Sequence, residues 1–150
     1  MELTRNEKIM KYAALIYAVA FIGAALVFIC IPGLMFGMMN DASRALFPSL
    51  PLASDSGKFW VSLAVSMMAT ITALSLFIYK DVRNNYRMAV PLVTAKFTSS
   101  LFGLGFFLAG FARPEAGWNT LANIIILFSD FPLGVLMLAL YRLVKKERVK

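Results

Sequence analysis

Two side chains in this sequence carry charge where everything around them is apolar. They are Lys96, within MAVPLVTAKFTSSLFGLGFF, and Asp130, within ILFSDFPLG. An ammonium and a carboxylate in such surroundings can pair with each other, hold an ionic ligand or pass a proton. Charge inside a membrane span is costly, so it is rare and usually paired or functional. Counted from the basic residues that flank them, Lys96 lies nine residues past Arg87, about 13 Å, and Asp130 twelve before Arg142, about 18 Å, at the rise of an α-helix. On antiparallel neighbouring helices a lysine side chain spans that difference. Two other readings stay open. With a helix starting at Pro91, Lys96 would sit only about 8 Å deep and its long stem could carry the ammonium back to the headgroups. Asp130, two residues before Pro132, could instead cap a half-helix that restarts there.

Weaker polar signals surround this pair. Ser62, Ser66 and Thr70 recur every four positions on one helix face. Lys96, Ser99, Ser100 and Gly103 share another face, and Asn123, Asp130 and Gly134 a third. If the three faces meet, they form a polar interior strip. The competing account is that the hydroxyls bond to carbonyls of their own helices. There is no histidine, and the one cysteine is Cys30. The spacing therefore offers no metal site and no redox pair, and no cofactor or catalytic residue is expected.

The elements that must position these residues are four apolar runs: Tyr12 to Met39, Phe59 to Tyr79, Met88 to Phe111 and Trp118 to Tyr141. Each reaches or exceeds the roughly 20 residues that a helix needs to cross about 30 Å of hydrocarbon. The chain of 150 residues is 60% hydrophobic and 15% charged, with a mean hydropathy of +0.74. A soluble domain has about 25% charged residues. The expected fold is an all-α membrane protein, one domain over residues 1–150, with four transmembrane helices in an antiparallel up-down bundle. Kinks are expected at Pro32 and Pro132, where a helical carbonyl loses its donor. The connection from Asn40 to Lys58 is expected to be an outer loop, plain or folded as an interfacial flap.

Orientation follows from the 15 basic residues, which outnumber the 8 acidic ones and give a net charge of +7. Eleven lie at the amino end, in the link between the second and third runs, and in the tail. Arg44, Lys58 and Arg113 lie in the other two connections. This bias places both termini in the cytoplasm. It also attracts anionic lipid heads, which accounts for the positive charge without nucleic acid. The segment Arg5 to Ala20 resembles a signal peptide, but its apolar run continues far past the candidate cleavage site, so an uncleaved anchor is expected, in a prokaryotic inner membrane.

The expected function is that of a non-enzymatic bundle in the lipid bilayer, acting as an accessory or partner subunit with another membrane protein or as a homo-oligomer, or binding an apolar or amphipathic small molecule. A small proton-coupled carrier using Asp130 is the first alternative. A membrane enzyme acting on lipid or quinone, holding a phosphate or carbonyl with Lys96 or Arg87, is the second.

Overall fold

A computed structural model describes residues 2–53 and 58–149. Those residues are helical with short connections and include no strand. The first helix, α1 (Arg5–Cys30), starts seven residues before the apolar run because Thr4 caps it. The Thr4 hydroxyl accepts from the Glu7 N–H at 3.2 Å, and the Glu7 carboxylate accepts from the Thr4 N–H at 2.9 Å. This reciprocal pair satisfies two donors at the helix start.

The kink expected at Pro32 is a full break. A residue before proline is biased away from the helical region, and Ile31 takes φ −141° and ψ 58°. Its N–H still closes α1 on the Val27 carbonyl at 2.8 Å. Pro32 then opens a second helix, α2 (Pro32–Leu46), at a position where its missing N–H costs nothing. The run from Tyr12 to Met39 is therefore two helices rather than one long span. The connection after the first run is also shorter than expected, since Asn40 to Leu46 belong to α2. Asn40 clasps the chain that follows: its side-chain amide donates to the Ala53 carbonyl and accepts from the Ala53 N–H, both at 2.9 Å. Residues 54–57 of that connection lie outside the described residues, so the choice between loop and flap concerns 47–53 alone, where Phe47 and Leu52 are exposed.

Helix α3 (Lys58–Lys80) ends at Asp81, which caps the single turn α4 (Val82–Asn85). The side-chain amide of Asn84 and then its N–H, both donating to the carboxylate, hold Asp81 below the usual carboxylate range. A 3-10 turn, Tyr86–Met88, leads into α5 (Ala89–Ala112). Gly117, at φ 60°, turns the chain after α5 in a conformation that favours glycine. Helix α6 (Leu121–Val149) closes the chain. It continues through Pro132, so the helix restart expected there does not occur.

Four segments are long and apolar enough to cross a membrane: Arg5–Cys30, Ser62–Lys80, Val82–Ala112 and Leu121–Arg148. Their exteriors stay apolar, with Ile16 67%, Leu101 68% and Phe128 73% exposed. α1 packs along α3 and α5 along α6; α1 also meets α6, while α3 and α5 touch less. The shared core lies toward the end that holds the termini and the α3–α5 link. Met10, Ala14 and Tyr17 meet Ile71, Ile78, Val82, Leu92, Met137 and Val144 there. Farther away the buried positions are mostly small or polar: Ala25, Ser43, Gly103, Gly110 and Thr120, with Leu121 the larger exception.

Two glycines on α5 mark close approaches, Gly103 to α6 and Gly110 to the connection that leads into it. A Cβ at Gly110 would lie 2.4 Å from the Asn119 nitrogen, and one at Gly103 would lie 2.9 Å from the Asn123 carbonyl oxygen. Small residues let helix backbones approach where no hydrophobic effect drives association. Gly105, Gly33 and Gly37, which fall at the same small-residue spacings in the sequence, face open space.

Candidate functional site

On α5, the residues Leu92, Lys96, Ser100 and Gly103 are buried along one face. On α6, Gly134 lies against that face: a Cβ there would meet Lys96 Cβ and Phe97 Cε1 at 3.1 Å. This approach brings the two charged side chains together. Lys96 Nζ donates to Asp130 Oδ1 at 2.7 Å, with the lysine side chain 3% and the aspartate side chain 18% exposed. The reading in which Lys96 reaches back to the headgroups is corrected, because the ammonium is turned toward α6. The capping reading for Asp130 is corrected too, since no helix begins after it.

The second carboxylate oxygen is also engaged. The Ser99 hydroxyl lies 2.5 Å from Asp130 Oδ2 and 3.0 Å from the Lys96 carbonyl. It has one proton, and the nearer, charged acceptor takes it. The Lys96 carbonyl is served instead by the Ser100 hydroxyl at 2.8 Å. From α1, Phe21 places its ring face 3.8 Å from the ammonium, a cation–π contact. One turn earlier, the Tyr17 hydroxyl donates to the Leu133 carbonyl at 2.5 Å. The site thus joins α1, α5 and α6, with Phe97 and Phe131 packed beside it at 5.6 Å between ring centroids.

The remaining residues of the expected strip lie elsewhere. Ser62, Ser66 and Thr70 are exposed on α3, and the Thr70 hydroxyl bonds back to the Ser66 carbonyl at 2.9 Å, so the interior assignment for that face is corrected. The polar residues that α3 does bury are Thr72 and Ser75. Both sets have helical spacing, four residues in Ser62, Ser66 and Thr70 and three in Thr72 and Ser75. The sequence could not choose between them because in lipid both faces of a span are apolar around their hydroxyls. Asn123 is half-buried and donates to the Trp118 carbonyl at 2.6 Å, at the start of α6 rather than in the cluster.

A second charged cluster escaped the sequence reading. Glu7 on α1 is buried, and its carboxylate lies 3.3 Å from Arg83 Nε and 3.6 Å from Arg148 Nε. Arg83 also donates to the Glu2 carbonyl, and Arg148 to the Arg83 carbonyl. Glu147 adds hydrogen bonds from the Thr4 hydroxyl, at 2.6 Å, and the Asn6 amide, at 2.5 Å. The amino end, the α3–α5 link and the tail are tied at one point. The available signal was the pattern Thr4-x-x-Glu7, which marks a helix start and places the acid, but its arginine partners are 76 and 141 positions away in the chain.

Chemically, the Lys96–Asp130 site is a closed ion pair. Both carboxylate oxygens and the ammonium have partners from the chain itself, so a nucleophile or a carried proton would have to displace one of them. Among the described residues, no group of three or more histidine, cysteine, aspartate or glutamate side chains could hold a metal ion. Compared with protein families, with curated proteins and with solved structures, the chain has no significant match.

Proposed function

We propose that this chain is a multi-pass integral membrane protein, an antiparallel four-helix bundle with both termini in the cytoplasm, that works as a non-enzymatic partner subunit. The observation that carries this reading is the closure of the Lys96–Asp130 pair within the chain. A buried pair satisfied in this way fixes how helices dock, whereas a site for substrate or proton keeps a position open. Removing either partner would strand the other in hydrocarbon, which makes the pair a lock on the arrangement of α1, α5 and α6. The basic residues at the termini and the α3–α5 link support the orientation.

The partner reading draws on where the helices do not meet. Away from the basic end, the α1–α3 and α5–α6 pairs share little buried apolar surface, and large side chains such as Leu26, Leu63, Leu101 and Phe128 face outward. A neighbouring helix packs on such faces through shape, as lipid does, but with a fixed geometry. The carrier alternative drew its support from a helix restarting after Asp130, and α6 is continuous there.

Native mass spectrometry from mild detergent tests this reading. The expected result is an assembly of fixed stoichiometry, with a second copy or a distinct membrane protein bound to the 16.6 kDa chain. A chain that stays monomeric across detergents, in material that otherwise retains known complexes, would contradict it.

A further inference from the structure

At the basic end, Tyr86 in the turn before α5 and Tyr141 on α6 stack with their rings 5.8 Å apart and 22° from parallel. Three cations gather on this ring pair. The Arg87 guanidinium lies 5.9 Å from the Tyr86 ring centre, and its Nε donates to the Tyr86 hydroxyl oxygen at 3.3 Å. The Arg148 guanidinium lies 5.3 Å from the same ring, and Lys145 Nζ lies 5.9 Å from the Tyr141 ring. Arg148 is compensated by Glu7. Among the described residues, Arg87 and Lys145 have no carboxylate within ion-pair distance, and both are exposed.

We infer that Arg87 and Lys145, held on the stacked rings of Tyr86 and Tyr141, form a binding site for the phosphate of an anionic lipid headgroup. The inference rests on the membrane-spanning reading above. Arg87 and Lys145 each bring to the ring pair a charge without an ion-pair partner among the described residues, and an anion bound there would offset both. A guanidinium, an ammonium and a phenol are the donors that a phosphate oxygen accepts from. Tyrosines at the ends of spans sit at headgroup depth, where lipid phosphates are. Basic pockets between helices on that side of a membrane hold anionic headgroups. The neighbouring exposed side chains favour a lipid over free phosphate: Met88 and Val90 begin the apolar surface of α5 directly beyond Arg87, where acyl chains would lie.

The test uses the full chain in nanodiscs of phosphatidylcholine, with and without phosphatidylglycerol, read by thermal unfolding. The wild type is expected to unfold about 3 °C higher in the anionic discs, as a ligand bound only by the folded state requires. The double variant Arg87→Gln, Lys145→Gln should lose most of that increment. Lys8→Gln, Arg142→Gln removes the same charge away from the two rings and should keep it. Equal loss in both double variants, or no increment in the wild type, overturns the site. Millimolar inorganic phosphate in neutral discs that reproduces the increment overturns lipid as its ligand. Failure of the chain to enter neutral discs at all would count against the membrane reading itself, a separate outcome from loss of the lipid effect.

Discussion

The hydroxyl of Tyr17 donates to the carbonyl of Leu133, one residue beyond Pro132, across the contact between α1 and α6. It is one of few polar links between the two helix pairs, and it lies one turn from Phe21, whose ring covers the Lys96 ammonium. Tyr17→Phe keeps the ring and removes only this bond. The expected cost is about 1 kcal/mol, the usual net value of a hydrogen bond, read as a lower unfolding temperature in detergent. Tyr17→Ala should cost several times more, because it also empties a buried ring site. Equal effects from the two variants would show that packing alone matters there.

Gly110 and Gly105 lie on the same helix and differ in surroundings. Gly110→Ala forces a Cβ into the Asn119 backbone and should destabilise the α5–α6 pair by about 2 kcal/mol or more. Gly105→Ala meets nothing and should be neutral or slightly stabilising, since alanine is the better helix former. Unfolding in detergent of the two variants side by side gives the comparison, and equal losses would contradict the close approach.

The buried carboxylate of Glu7 pairs with both Arg83 and Arg148. Glu7→Gln retains the shape but removes the carboxylate that Arg83 and Arg148 share. The tail of α6 should then loosen, with faster trypsin cleavage after Lys145 and Lys146 and faster amide exchange over 143–149. Unchanged protection would show that the tail is held by other contacts.

The orientation can be read with thiol labelling in intact cells, on a Cys30→Ser background. Ser49→Cys, in the connection after α2, is expected to react with a membrane-impermeant maleimide from outside. Lys146→Cys, in the tail, is expected to react only after permeabilisation. The reverse pattern would invert the assigned topology.

How much of this was legible in the sequence differs from element to element. The four span-length helices follow from hydropathy alone, because the backbone in lipid must satisfy its own hydrogen bonds. Proline was read less well, since its effect depends on position. Pro32 falls where a new helix can begin and so breaks the chain, while Pro132 is carried inside α6. Lys96 and Asp130 stood out because charge is rare in such runs, and comparing their depths was enough to bring them within reach. Which face of α3 points inward was not legible, because the hydroxyl set Ser62, Ser66 and Thr70 and the set Thr72 and Ser75 lie in the same apolar helix. Glu7 was missed for a different reason: its partners come from the far end of the chain, and only the folded arrangement shows them.

The most direct measurement is a double-mutant cycle on the intramembrane pair, with Lys96→Met, Asp130→Asn and the combined variant unfolded in the same detergent. A closed ion pair predicts that each single change costs about 2 kcal/mol or more, and that the combined change costs less than the sum and less than the worse single variant. Strictly additive losses would mean that Lys96 and Asp130 act independently, and the lock on α1, α5 and α6 described here would not exist.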